Sequence, residues 1–306
     1  MLHRITPLAV GLMAFLAAAS SATAAPTNCP DNFLGGQAPD LVNAGLARSS
    51  TALCYTEFGV LFSGLTRTPL WSADHLTADR VAQAAHQRRS DASESFHEET
   101  ALPPGDRSWL RDFSRSGYDR GHLSPNADMS THSAQGESFT LANMVPQWPE
   151  NNRGIWEGVE GSTRALASQY GEVWVVTVPI FAGGQTQWLH DRVAIPSKIA
   201  KAVYIPAINT SSAYITDNGP GDSWQAISVA QLRDMSGIDP FPALPESVKQ
   251  AAVQLPEPKQ HYSHGGARAE ASPGGQAAQG PVGATTYGQP HWSVGTAMYL
   301  LKSLLR

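Results

Sequence analysis

Gly117-Tyr118-Asp119-Arg120-Gly121-His122-Leu123-Ser124-Pro125 sets a histidine two residues from an arginine, with a glycine between them. Downstream follow Asn143-Met144-Val145-Pro146-Gln147 and then Asn151-Asn152-Arg153-Gly154-Ile155-Trp156. A neutral imidazole accepts a proton readily near pH 7. A guanidinium offers planar, permanently charged donors that match a phosphate. Gly121 is expected to let the backbone turn tightly between the two. The amides add a third capacity, because a hard cation takes oxygen ligands and Mg²⁺ keeps most of its waters. Asn152, Trp156 and Glu160 are spaced to lie on one face of a helix. An amide oxygen from Asn152, with Glu160 holding coordinated water, makes a sparse but workable Mg²⁺ site. A base, a positive charge and help for a departing alkoxide are what hydrolysis of a phosphodiester needs.

Outward from that stretch, the pattern predicts an α+β fold. Val173 to Ile180 is nearly all apolar and reads as a central, buried strand. Leu53–Ser63, Arg192–Pro196 and Ala202–Asn209 read as further strands, with Ser212–Thr216 as another candidate. Trp71–His86 reads as a turn and then a helix, with Thr77 as its cap and Asp79 in its first turn. Gly154–Tyr170 reads as a helix that stops at Gly171, and Ser228–Ser236 as a short one that ends at Gly237. Leu244–Gln254 is a candidate for one more. Residues 26–50 read as an extended entry and 87–118 as loop. Strands and helices interleave without the regular alternation of a doubly wound sheet, so the central sheet is expected to be antiparallel.

The ends read differently. Met1–Arg4, the apolar run Leu8–Ala19 and the small residues Ala22-Thr23-Ala24 form a secretory signal peptide over residues 1–24. That run is too short to span a bilayer, and no other stretch is long enough. The expected location is therefore secreted or periplasmic. The chain has two cysteines, Cys29 and Cys54, and an oxidising compartment would pair them as a disulfide. Residues 256–290 are rich in Pro, Gly, Ala, Gln and Ser and read as a low-complexity linker. Residues 291–306 read as a short C-terminal helix. The main domain is placed at 25–255. His261-x-x-His264 has the spacing of a metal pair, but it sits in the low-complexity stretch and is not taken as a site.

The net charge is −5. Loss of residues 1–24 removes Arg4 and no acid, which makes it −6. That excludes a protein that coats nucleic acid with a basic surface. It leaves room for a local basic groove, and Arg107, Arg111, Arg115 and Arg120 supply one.

Asp119-Arg120-Gly121-His122, then Asn143-x-x-Pro146-Gln147, then Asn152-x-x-x-Trp156-x-x-x-Glu160, resembles the DNA/RNA non-specific endonuclease family. That family includes Serratia-type nucleases and endonuclease G, of the ββα-metal or His-Me finger superfamily. Weaker similarity runs from about Leu53 to Gly237. The resemblance implies a ββα-metal nuclease fold with a central antiparallel sheet flanked by helices. It implies His122 as general base, Asn152 as the protein ligand of Mg²⁺ (with Mn²⁺ as a substitute) and Glu160 holding metal-bound water. Asn143 would orient the site and Arg120 would contact phosphate. DNA and RNA would be the substrates and 5′-phosphates the ends. A homodimer and an inhibitor partner are left open.

Family members carry an upstream arginine, often after a phenylalanine, and here Phe96-His97 stands at the comparable place. Either His97 substitutes in binding substrate, or Arg88, Arg89, Arg107 or Arg111 reaches in. Asn151 rivals Asn152 as the ligand, Asp119 reads as a structural tie and Trp156 as core packing. Two other functions fit the same residues: a nucleic-acid-binding protein on a decayed nuclease fold, and a phosphodiesterase restricted to small substrates.

Overall fold

The computed structural model describes residues 28–87, 95–182 and 186–259. The predicted signal peptide, Arg88 and Arg89, His261 and His264, and the C-terminal helix all lie outside these residues.

The strands of four or more residues, in chain order, are β1 (Ser50–Cys54), β2 (Phe58–Ser63), β3 (Thr68–Thr77), β4 (Asp119–His122), β5 (Met144–Gln147), β6 (Glu172–Ile180), β7 (Lys198–Ile205), β8 (Thr210–Asp217) and β9 (Trp224–Ile227). Seven of them form one sheet in the order β9-β8-β7-β6-β3-β2-β1, and every pairing in it is antiparallel. β4 and β5 form a separate antiparallel ribbon. The main helices are α1 (Ala78–His86), α2 (His132–Ser138), α3 (Glu157–Tyr170), α4 (Val229–Ser236) and α5 (Glu246–Gln250).

β6 is the middle strand, and its alternation shows why it is apolar throughout. Val173 and Val175 face a core that contains Trp156, Val159 and Leu166 from the α3 side. Val176, Val178 and Ile180 face a second core with Val229 and Leu232 of α4. Both faces are therefore covered, and each valine so buried contributes roughly 1.5–3 kcal/mol. Thr77 caps α1 by accepting the Arg80 N–H at 3.2 Å. α3 ends at Gly171, whose φ of 92° suits only glycine well.

Three expectations are corrected. Leu53–Ser63 is not one strand but parts of two, β1 and β2, joined by a turn. Trp71 does not begin a turn, because it lies inside the ten-residue strand β3. Residues 256–259, read as the start of the linker, pack on the body: the Pro256 carbonyl accepts Tyr214 Oη at 2.9 Å, and Pro258 and Lys259 lie against Gly158 of α3. Strand β9 had no counterpart in the sequence reading.

Candidate active site

The ribbon β4–β5 lies on the α3 side of the sheet, where Leu123 and Val145 enter the α3-side core. Register pairs Asp119 with Gln147, Arg120 with Pro146, Gly121 with Val145 and His122 with Met144. Gly121 is needed for close approach rather than for the tight turn expected of it. It lies within the strand, and a Cβ there would stand 1.9 Å from Gln147 Oε1 and 2.6 Å from Gln147 Cβ. Gln147 has little freedom to withdraw, since it is buried and its Nε2 donates to Asn151 Oδ1 at 2.8 Å.

His122 packs edge-to-face on Phe139 at 5.0 Å and beside Phe96 at 5.8 Å between ring centroids. Its Nε2 is buried and has no hydrogen-bond partner among the described residues. The residue as a whole is half-buried, and the aromatic enclosure of its ring penalises the imidazolium and pushes the pKa down to about 4. The side chain is thus neutral at pH 7. The Arg120 guanidinium lies 5.0 Å over Phe96 and 5.7 Å over Phe113. Its Nη2 donates to the Leu110 carbonyl at 3.4 Å.

Asp119 joins the ribbon to the helix. Its carboxylate accepts Asn152 Nδ2 at 3.0 Å, Arg153 Nε at 2.8 Å and Arg153 Nη2 at 2.6 Å. Because the Asn152 amide nitrogen is taken, its Oδ1 remains as an oxygen donor on a partly exposed side chain. Asn151 is spent elsewhere. It is buried, accepts from Gln147, and donates to Thr216 Oγ1 at 3.2 Å and to the Asp217 carbonyl at 2.9 Å. The oxygen chemistry of Asn152 therefore fits a hard cation and that of Asn151 does not.

Asn143 is wholly buried. Its Oδ1 accepts the Ser124 N–H at 3.0 Å, and its Nδ2 donates to the carbonyls of Ser124 at 2.8 Å and Ser138 at 3.0 Å. It clamps the backbone directly after His122, and both polar atoms of its side chain are used in doing so. The run that carries Asn152, Trp156 and Glu160 is not one regular helix. Gly154, at φ −120° and ψ −106°, breaks the helix, and a π turn spans Asn152–Trp156. Trp156 is buried in the core. Burial pushes the Glu160 carboxyl up to about 7, against the pull of Lys201 and Arg164. Among the described residues no hydrogen bond joins Glu160 to Asn152 or His122. His97 is exposed, and its backbone is pinned to Phe139 and Leu141.

A buried polar layer beneath the ribbon was not anticipated from the sequence. Lys201 Nζ donates to the Leu123 carbonyl at 3.1 Å and to Thr177 Oγ1 at 2.6 Å, with its ammonium 5.5 Å from the Trp156 ring. Ser124 Oγ donates to Asp74 Oδ1 at 2.8 Å. Burial, then the charge of Asp128, pushes Asp74 up to about 7. These residues hold Leu123 and Ser124, directly after His122, to the sheet. A lysine in the middle of the apolar strand Lys198–Ile205, and an aspartate in Thr68–Thr77, were the available signs of it.

The sequence pattern that defines DNA/RNA non-specific endonucleases matches residues 38–247. The chain belongs to that family. Among similar proteins, mitochondrial nuclease EXOG of Danio rerio is 31% identical over 211 residues, which cover 62% of this chain and 60% of that protein. A nuclease of Nostoc sp. is 28% identical over 256 residues, covering 77% of this chain and 83% of its own. The chain thus spans about six tenths of the length of the Danio EXOG protein. A crystal structure of an EndoG/EndoGI complex contains a chain that superposes with a TM-score of 0.57 at 23% identity, covering 64% of this chain and 88% of that one. That likeness concerns the fold. Among the described residues no helix is long and apolar enough to cross a membrane.

Proposed function

We propose that this endonuclease-family chain hydrolyses internal phosphodiester bonds of DNA and RNA and leaves 5′-phosphate ends. One observation carries the reading. Asp119 opens the strand that ends in His122, and the same carboxylate fixes the amide nitrogen of Asn152. Base and metal-ligand oxygen are thereby held in one rigid unit.

His122 Nε2 is shut away, which leaves Nδ1 to take the proton from an attacking water. The ring is neutral and can accept it. Arg120 holds a phosphate oxygen, and the aromatic shelf of Phe96 and Phe113 limits where its guanidinium can go. Asn152 Oδ1 would hold a divalent cation, Mg²⁺ with Mn²⁺ as substitute, and Glu160 would act on its outer water shell. Such a cation stabilises charge on the phosphate and on the departing oxygen. Asn143 and Lys201 keep the backbone directly after His122 in place. None of these groups reads a base edge, so indifference to sequence and sugar follows from contacts made to phosphate. Export belongs to the same proposal and rests on residues 1–24, with the Cys29–Cys54 bond suited to an oxidising compartment.

The test incubates the mature protein with plasmid and with total RNA, in Mg²⁺ or in EDTA. Degradation of both in Mg²⁺ and of neither in EDTA is expected. Intact nucleic acid in the Mg²⁺ lanes sinks the proposal. His122→Ala should abolish cleavage while DNA binding persists.

A further inference from the structure

The loop before the catalytic ribbon carries an aromatic flanked by cations that the chemistry above does not use. Trp109 is only partly buried. The guanidiniums of Arg107 and Arg111 lie over its ring, with their carbons 5.5 Å and 5.0 Å from the ring centroid. Leu110 beside it is 37% exposed, one of the few large apolar side chains left in solvent. Arg115 is exposed with φ at 55°, a conformation rare outside glycine.

This surface is preorganised. Asp112 Oδ2 accepts the Trp109 N–H at 2.9 Å, and Asp112 Oδ1 accepts Arg192 Nε at 3.1 Å. Arg67 Nε holds the Gly105 carbonyl at 3.2 Å, and Arg192 Nη2 holds that of Arg107 at 3.4 Å. Phe113 roots the far end in a core. The nearby acids are largely occupied. Asp112 is paired, Glu98 accepts the Leu110 N–H at 3.2 Å, and Asp106 lies against Gly64. Arg107 and Arg111 carry no ion pair among the described residues.

The platform abuts the reaction centre. Arg120 donates to the Leu110 carbonyl and rests on Phe113, while Phe96 bridges Arg120 and His122. A strand whose phosphate sits at Arg120 therefore passes Trp109 within a short run of nucleotides. We propose that Arg107, Trp109 and Arg111 form a subsite for unpaired nucleic acid, with a base stacked on the indole in place of one of the guanidiniums that lie over it, and neighbouring phosphates on the two guanidiniums. Bases in a duplex are already stacked on one another, whereas an unpaired base has a free π-face, so the subsite selects single strands. The inference rests on the nuclease reading of the site.

The test uses the full mature chain with His122→Ala, so that substrate survives. A fluorescein-labelled 20-mer of oligo(dT) and a blunt duplex of equal length are titrated by anisotropy. Adding Trp109→Ala should weaken oligo(dT) binding by about tenfold and leave duplex binding within about twofold. Trp109→Phe, which keeps a stacking face, should retain most of the affinity. Arg107→Gln and Arg111→Gln should each reduce the salt slope by up to about 1. Unchanged oligo(dT) affinity in Trp109→Ala, or an equal loss on both probes, overturns the subsite. Plasmid cleavage by the His122 parent is scored separately, so a protein that binds as described yet never cuts refutes the nuclease reading alone.

Discussion

A proton on His122 would end the role of base proposed for it, so the pH at which it arrives is a direct readout of the site. Phe96 and Phe139 enclose the ring and disfavour the imidazolium, which lowers the folded pKa to about 4 from the ordinary 6.5. Between those values the unfolded chain binds the proton and the native chain does not. The contribution to stability is therefore complete above pH 6.5 and is lost as pH falls toward 4. The same shift governs activity. We expect the acidic limb of kcat/KM, which reports the free enzyme, to fall near pH 4 on a short oligonucleotide. A limb near 6.5 would mean that the ring is solvated and the enclosure is not felt. Asn143 and Asp119, both legible as residue types, become intelligible only with partners. One spends every polar atom on backbone, and the other orients the Asn152 amide, and neither fact can be read along the chain.

At the scale of the element, the ribbon depends on one missing methyl group. Gly121 lies directly under the Gln147 side chain, and Gln147 is tied to Asn151, next to Asn152 in the helical run that follows. Gly121→Ala should therefore move Gln147 and loosen both pieces of the proposed site. Overpacking of this kind costs about 1–3 kcal/mol. Thermal unfolding and cleavage rate should fall together, and adding Gln147→Ala should recover part of both. If Gly121→Ala keeps the wild-type melting temperature and rate, the close approach is not tight. The elements themselves were unevenly legible. β6 announced itself because burial on both faces demands an unbroken apolar run. The division of Leu53–Ser63 was hidden because its turn lacks Gly, Pro or Asn. That turn is held instead by a tertiary contact, with Glu137 accepting both the N–H and the hydroxyl of Thr56. β3 was misread in part because Ser72, Asp74 and His75 look like turn residues. They are polar because they meet Ser124 and Glu172 across the fold.

At the scale of the whole molecule, the sheet separates stability from chemistry, and the disulfide tests that separation. Cys29–Cys54 ties the entry segment to β1, the edge strand farthest along the sheet from β9. Just after Cys29, Phe33 packs edge-to-face on Trp71 at 5.8 Å, in the core on the α4 side. It lies so close to Gly59 that a Cβ there would meet its Cζ at 2.5 Å. His122, Asn152 and the Lys201 layer occupy the opposite side. Cross-linking residues 25 apart stabilises by about 3 kcal/mol, chiefly by restricting the unfolded chain. For a domain of this size that corresponds to a loss of roughly 6–12 °C in melting temperature when the link is removed. Cys54→Ser should show that loss by circular dichroism, and wild-type protein in reductant should match it. At 25 °C, where the variant remains folded, the cleavage rate should stay within about twofold of wild type. A large fall in rate without a fall in melting temperature would mean that the entry segment acts on the site through the sheet, and that the two sides are coupled rather than separate.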